Sequence, residues 1–160
     1  MRIEKNIGRA LREKGWTIAV AESCTGGLVC DRITNVSGSS TYFEGGMVAY
    51  SNESKEKHLG IPLEFIMRHG SVSPQVARKM AQGVRKAFGT TFGLSTTGVA
   101  GPTGGTQRSP VGRVFIGLSH GRKTWVKKVD LKGDRRKIKE KASEISLRFL
   151  HEMLKLNANM

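Results

Sequence analysis

Ile18-Ala19-Val20-Ala21, then Glu22-Ser23-Cys24-Thr25-Gly26-Gly27, then Leu28-Val29-Cys30-Asp31-Arg32-Ile33: an apolar run, a cluster of small and flexible residues, an amphipathic segment. The order reads as strand, tight turn, helix. A side chain at such a turn stands exposed at the carboxyl end of a strand, and the N–H groups opening the next helix point into the same space. One loop can therefore supply a nucleophile, Ser23, together with anion-stabilising donors. A plain turn capped by a serine or threonine is the alternative this loop alone leaves open.

Outward from this unit the chain keeps alternating between helical and extended patterns. Ile3, Ile7, Ala10 and Leu11 form one stripe and predict a helix over 3–14, stopped at Gly15. Residues 17–21 make the first strand, and a helix over about 27–35 ends at Ser37-Gly38-Ser39-Ser40. Residues 42–50 read as a strand in which Gly45-Gly46 marks a bulge or a close backbone approach. A short helix starts at Ser51-Asn52-Glu53, carries Lys55 and Leu59, and stops at Gly60 and Pro62; residues 63–68 give another helical turn. Ser73-Pro74 opens a helix that runs to Gly89. A strand over 92–97 leads into the glycine-rich loop Gly98-Val99-Ala100-Gly101-Pro102-Thr103-Gly104-Gly105. Residues 111–119 and 123–131 pair as a hairpin, and a long helix fills about 134–156. Cys30 reads as core, and Met67, Met80 and Met153 as core or semi-buried filler. The pattern predicts a single α/β domain, a three-layer α/β/α sandwich around a mixed sheet of about five strands.

Composition narrows the classes. The 160 residues suffice for one three-layer core. No apolar run reaches the length of a membrane span, and the mixed charges of Met1-Arg2-Ile3-Glu4-Lys5 do not form a signal peptide. Cys24 and Cys30 read as reduced thiols of a cytoplasmic protein. His58, His69, His120 and His151 stand in no ligand spacing with them, so no metal is expected. The net charge of +14 raises nucleic acid as a partner. Yet the late cationic runs, such as Arg135-Arg136-Lys137-Ile138-Lys139, carry no interleaved aromatics and match no DNA-binding motif. They read as a solvated helix face, and nucleic acid is not an expected partner.

Three segments compete for a site: the Ser23 turn, residues 50–55 and the glycine-rich loop. The first and last follow apolar strands, so both can border one crevice beyond the strand ends. The loop can offer N–H groups to a phosphate, although it is neither a Walker loop nor a dinucleotide fingerprint. None of the histidines follows a strand as the partner of a nucleophile does. Lys55 can serve as the base if burial lowers its pKa, with Tyr50 bridging the two or passing the proton. A surface lysine beside Lys57 is the competing reading, and these residues alone do not exclude it.

Taken in order, Ala21-Glu22-Ser23-Cys24-Thr25-Gly26-Gly27, Gly38-Ser39-Ser40, Tyr42-Phe43-Glu44-Gly45-Gly46, Tyr50-Ser51-Asn52-Glu53-Ser54-Lys55, His69-Gly70-Ser71-Val72-Ser73, the glycine-rich loop, Pro110-Val111-Gly112 and Gly133-Asp134-Arg135 resemble the C-terminal domain of the competence/damage-inducible CinA family. The resemblance implies nicotinamide-nucleotide amidase activity: hydrolysis of nicotinamide mononucleotide to nicotinic acid mononucleotide and ammonia, in pyridine nucleotide salvage. It implies Ser23 as nucleophile, Lys55 as general base and Tyr50 as relay, with neither metal nor cofactor. It further implies that Thr25, Gly26 and Gly27 border the carbonyl and oxyanion, and that Thr97, Gly98, Ala100, Gly101 and Arg135 contact the ribose phosphate. A stand-alone, homo-oligomeric form is expected on the same ground, and no membrane partner is expected from the missing apolar run. The rival reading is a basic nucleic-acid-binding module with a vestigial active site.

Overall fold

A computed structural model describes residues 2–159. The chain forms α1 (Arg2–Lys14), β1 (Ile18–Glu22), α2 (Leu28–Thr34), a 3₁₀ turn (Ser39–Thr41), β2 (Phe43–Val48), α3 (Asn52–Leu59), α4 (Leu63–His69), α5 (Pro74–Phe88), β3 (Phe92–Gly98), β4 (Arg113–His120), β5 (Lys123–Asp130) and α6 (Arg135–Ala158). The helix starts follow the capping chemistry of the sequence. Ser51, Ser73 and Asp134 each accept a hydrogen bond from the main-chain N–H three residues on, at 3.0, 3.2 and 2.9 Å. The strand expected over 42–50 is shorter, because the Tyr42 N–H closes the 3₁₀ turn on Ser39 and the Tyr50 carbonyl turns to the Lys55 ammonium. Among the described residues no helix is long and apolar enough to cross a membrane.

The sheet has the order β2-β1-β3-β4-β5. β1 runs parallel to β2 and to β3, while β4 and β5 are antiparallel to their neighbours. Side-chain alternation sorts the strands between two cores. Ile18, Val20, Phe92, Leu94, Ile116 and Leu118 face the layer built from α1, α2 and α6. Ala19 and Ala21 face α3, α4 and α5, where Leu59, Ile66, Val76, Met80 and Val84 complete the second core. Arg32 links the helices of the first layer, its guanidinium lying 2.5 Å from Glu4 and 2.6 Å from Glu144.

The second layer sits unusually close to the strands because small residues line that face. A Cβ on Gly93 would run into the Ala81 carbonyl, and one on Gly117 would lie 2.5 Å from the Ala77 carbonyl oxygen. Ser95 donates to that Ala77 oxygen at 2.6 Å, tying α5 to β3 directly. Gly45-Gly46 proves to be both things the sequence allowed. The register slips between Ile18 and Ala19 opposite it, and a Cβ on Gly46 would meet the Cys30 sulfur. Two core assignments change. Cys30 is only partly buried, and Met67, on the outer side of α4, is 74% exposed.

Connectivity fixes where a site can form. From β1 the chain passes to β2 on one side, then returns past β1 to β3 on the other, crossing the opposite face of the sheet. The loops leaving β1 and β3 therefore diverge at the carboxyl edge and leave a crevice there. The close α5 contact yields a test. Gly117→Ala has no room without moving a helix, so it is expected to lower stability by about 2–4 kcal/mol in urea unfolding.

Candidate active site

Ser23 follows the last residue of β1 and donates its main-chain N–H to Thr96 of β3 at 3.0 Å. The turn beyond it closes through Gly26 and Gly27, whose φ values of +60° and +101° suit glycine alone. Glu22, fully buried, accepts from the N–H groups of Val29 and Cys30 at 2.9 and 3.0 Å. That carboxylate pins the first turn of α2 against the strand and so fixes the Ser23 turn from below.

Lys55 reaches the turn from α3. Its ammonium donates to Ser23 Oγ at 3.0 Å and to the Tyr50 carbonyl oxygen at 3.0 Å. The side chain is 1% exposed, and Ser23 is 7% exposed. Among the described residues no carboxylate forms an ion pair with Lys55. Burial pushes its pKa down to about 8, with the Cys24 thiolate form a weaker opposing influence. At neutral pH roughly one lysine in ten is then uncharged and able to accept a proton. Cys24 behaves in the opposite sense. Burial and the nearby Glu22 push its thiol up to about 12, which keeps the sulfur protonated and a poor nucleophile.

Above this pair lies a cleft of about 250 Å³ lined by Ser23, Lys55 and Tyr50 on one side and by the glycine-rich loop and Arg135 on the other. Thr97, Gly98, Ala100 and Gly101, to which the resemblance assigns the ribose phosphate, are among its lining residues, with Cys24, Ser71, Val72, Val99, Thr103 and Gly104. The segment carrying Ser71 and Val72 is held by the Thr97 hydroxyl, which donates to Ser71 O at 2.7 Å, and by Ser109, which donates to Val72 O at 3.0 Å. Its motif His69-Gly70-Ser71-Val72-Ser73 was in the sequence, but only the folded chain brings it to the cleft. Among the described residues the N–H groups of Ala100, Gly101, Thr103 and Gly104 find no protein acceptor, nor do those of Cys24 and Thr25. Among the described residues no acidic side chain lines the cleft, and its charged lining residues, Lys55 and Arg135, are both cations.

Four residues stand otherwise than the resemblance implies. Thr25 is buried, and its hydroxyl shares a 2.7 Å hydrogen bond with that of Thr96. Gly26 and Gly27 shape the turn but do not line the cleft, and the Gly26 N–H is committed to Ser23 O at 3.1 Å. Tyr50 does not bridge Ser23 and Lys55 through its phenol. That hydroxyl accepts from Arg135 at 2.9 Å, on a ring 59% exposed at the mouth. Arg135 opens α6 and also donates to Gly101 O at 2.7 Å, so it joins the tyrosine to the glycine-rich loop.

Comparison with known proteins places this geometry among relatives. A family model described as the CinA C-terminal domain matches residues 1–154. A CinA-like protein from Kosmotoga olearia is 49% identical over 152 residues, covering 95% of this chain and 37% of the relative. A CinA-like protein from Syntrophus aciditrophicus is 48% identical over 153 residues, covering 95% of this chain and 36% of its own length. The chain thus spans little more than a third of these curated relatives. Among solved structures, competence/damage inducible protein CihA from Agrobacterium tumefaciens superposes with a TM-score of 0.89 at 31% identity, over 97% of this chain and 96% of that one. Competence damage-inducible protein A from Klebsiella pneumoniae gives 0.93 at 28% identity, over 96% of both chains.

The buried lysine has a measurable thermodynamic signature. Its pKa is about 8 when folded, against an ordinary value of 10.5. Between those two values the unfolded chain binds more protons, so stability rises with pH across that window. Below it the full penalty of the buried charge persists. Lys55→Met is therefore expected to be more stable than the native protein at pH 7, by about 1–2 kcal/mol. In thermal unfolding followed by circular dichroism the gain should shrink as the pH rises from about 8 to 10.

Proposed function

We propose that this chain, which belongs to the CinA C-terminal domain family, is an amidohydrolase that converts nicotinamide mononucleotide to nicotinic acid mononucleotide and ammonia. The observation that carries the reading is the 3.0 Å contact between Lys55 Nζ and Ser23 Oγ, buried below a cleft that Arg135 and unused N–H donors line. A hydroxyl held by an amine of lowered pKa is a nucleophile–base pair. Around it the remaining groups suit a phosphorylated amide.

In the proposed reaction the carboxamide carbon sits above Ser23. Neutral Lys55 takes the Ser23 hydroxyl proton as Oγ attacks, and the carbonyl oxygen becomes an oxyanion. The N–H groups of Cys24 and Thr25 are the unpartnered donors nearest in sequence to Oγ, and each such donor is worth about 3 kcal/mol. Collapse breaks the C–N bond, and the Lys55 ammonium returns its proton to the departing nitrogen as ammonia leaves. Water, deprotonated by the same amine, attacks the acyl-serine; the C–Oγ bond breaks, Lys55 returns the proton to Ser23 Oγ, and the acid product leaves as its carboxylate. The phosphate lies against the glycine-rich loop and Arg135, where main-chain N–H groups and a guanidinium meet.

Two outcomes test the reading. Ser23→Ala is expected to lower ammonia release from nicotinamide mononucleotide by at least about 1000-fold, while Cys24→Ala stays within a few-fold. In the native protein kcat/KM should rise with pH to a plateau with a midpoint near 8, the limb of the Lys55 base. If the cysteine variant is the inactive one, the nucleophile is misassigned. The Tyr50 hydroxyl, held by Arg135, serves substrate binding in this scheme and carries no proton for Ser23. Tyr50→Phe is accordingly expected to raise KM several-fold with kcat nearly unchanged in steady-state kinetics, whereas a proton relay would lower kcat.

A further inference from the structure

The charge excess is not spread evenly. Residues 65–129 contain no aspartate or glutamate, against eleven lysines and arginines. That stretch folds into α5, β3, β4, β5 and their connections. On α6, where the longest basic run lies, three of the seven cations have an acidic partner: Arg136 pairs with Glu140, Lys137 with Asp134 and Arg148 with Glu144. On α5 and the β4–β5 turn none has one. Among the described residues Arg78, Lys79, Arg85, Lys86, Arg122 and Lys123 form no ion pair.

Five of these side chains gather about α5 and the β4–β5 turn, while Lys123, next to Thr124 in β5 and opposite His120, turns to the other side of the sheet. Arg78 donates to Thr124 O across to β5, and Arg85 donates to Gly121 O in the turn at 2.9 Å, so both guanidinium groups are held in place with donors left over. Lys79 and Lys86 are exposed on the next row of the helix. Each row repeats after seven residues, about 10.5 Å along the helix axis. Two open depressions flank α5 and share Gln82 and Lys86. One, of about 600 Å³, runs along the end of α3; the other, of about 440 Å³, runs along the β4–β5 turn with Arg122. Neither shares a lining residue with the Ser23 cleft. The helix dipole explains cations in the last turn of α5, Arg85 and Lys86, but not Arg78 and Lys79 earlier in the helix.

We propose that α5 and the β4–β5 turn form a docking face for the phosphate backbone of duplex nucleic acid, bound without sequence preference. Rows of fixed, unneutralised cations on a convex helix match a polyanion of regular spacing. The exposed large apolar residues, Val48, Tyr50, Met67, Val111 and Leu156, all lie off this face. It therefore offers neither a stacking platform for single strands nor an apolar wedge for a membrane. The inference stands independently of the amidase reading.

Fluorescence anisotropy of a labelled random duplex of about 30 base pairs, titrated with the full chain between about 50 and 300 mM KCl, tests it. Binding is expected at micromolar concentration or tighter at the lowest salt, weakening steeply as salt rises. The triple variant Lys79→Glu, Lys86→Glu, Arg122→Glu should bind at least about tenfold more weakly and flatten the log–log salt slope by about 2–3. A control with the same change in net charge on α1, Lys5→Glu, Arg9→Glu, Lys14→Glu, should lose less than about threefold. If the reversed face fails to fold by circular dichroism, the corresponding three glutamine substitutions replace it, with a loss of about threefold or more. Absence of binding at the lowest salt, equal losses in both triple variants, or tighter binding to single strands or to phosphatidylserine vesicles than to the duplex would overturn the proposal.

Discussion

An ammonium group inside a protein, with two oxygen atoms and no carboxylate for company, is costly to maintain. Lys55 is in that position: it touches Ser23 Oγ and the Tyr50 carbonyl and almost no solvent. Nothing about packing requires it, since an apolar side chain of the same length would fill the space. The arrangement makes sense as chemistry, because the same desolvation that destabilises the charged form creates an amine able to take a proton from a hydroxyl. The rest of the site is arranged around that contact.

What holds the contact is a chain of close approaches across the second layer. Ala19, Ala21, Gly93 and Gly117 give β1, β3 and β4 a surface with almost no relief, and α5 lies against it. Gly83 in turn lets α5 come so near α3 that a Cβ there would meet the Leu59 carbonyl. The position of α3, and with it Lys55, is thereby referred to the strand that ends in Ser23. From the other face Glu22 binds the start of α2 and keeps the turn closed. Two layers that share no side chain thus converge on one pair of atoms. Small residues at the interface are what make the convergence rigid.

Charge is partitioned by the same architecture. The carboxyl edge of the sheet gathers Lys55, Arg135 and the unbonded N–H groups of the glycine-rich loop into a concave site. The opposite flank presents α5 as a ridge whose cations are braced by carbonyls of the β4–β5 strands and turn. In the sequence the basic run of α6 looked like the centre of the excess. In the fold three cations of that helix have acidic partners, whereas those on α5 have none among the described residues.

Element types and order were legible in the chain because each is written locally. Ser51, Ser73 and Asp134 announce helix starts, Gly60 and Gly89 helix ends, and the alternation of Ile18, Val20 against Ala19, Ala21 a strand with two covered faces. Ser23 as an exposed turn residue and Lys55 as its partner were likewise within reach, since both follow strands whose ends share an edge. Side-chain direction was not. Whether Tyr50 turns its phenol to Lys55 or to Arg135, and whether Thr25 faces the cleft or Thr96, depends on residues 85 and 71 positions away. No local pattern encodes such a distance. The sequence by itself determined the elements, their order and the residues able to do chemistry. Only the tertiary structure decided which of them meet, because a hydrogen bond is set within tenths of an ångström by packing between layers far apart along the chain.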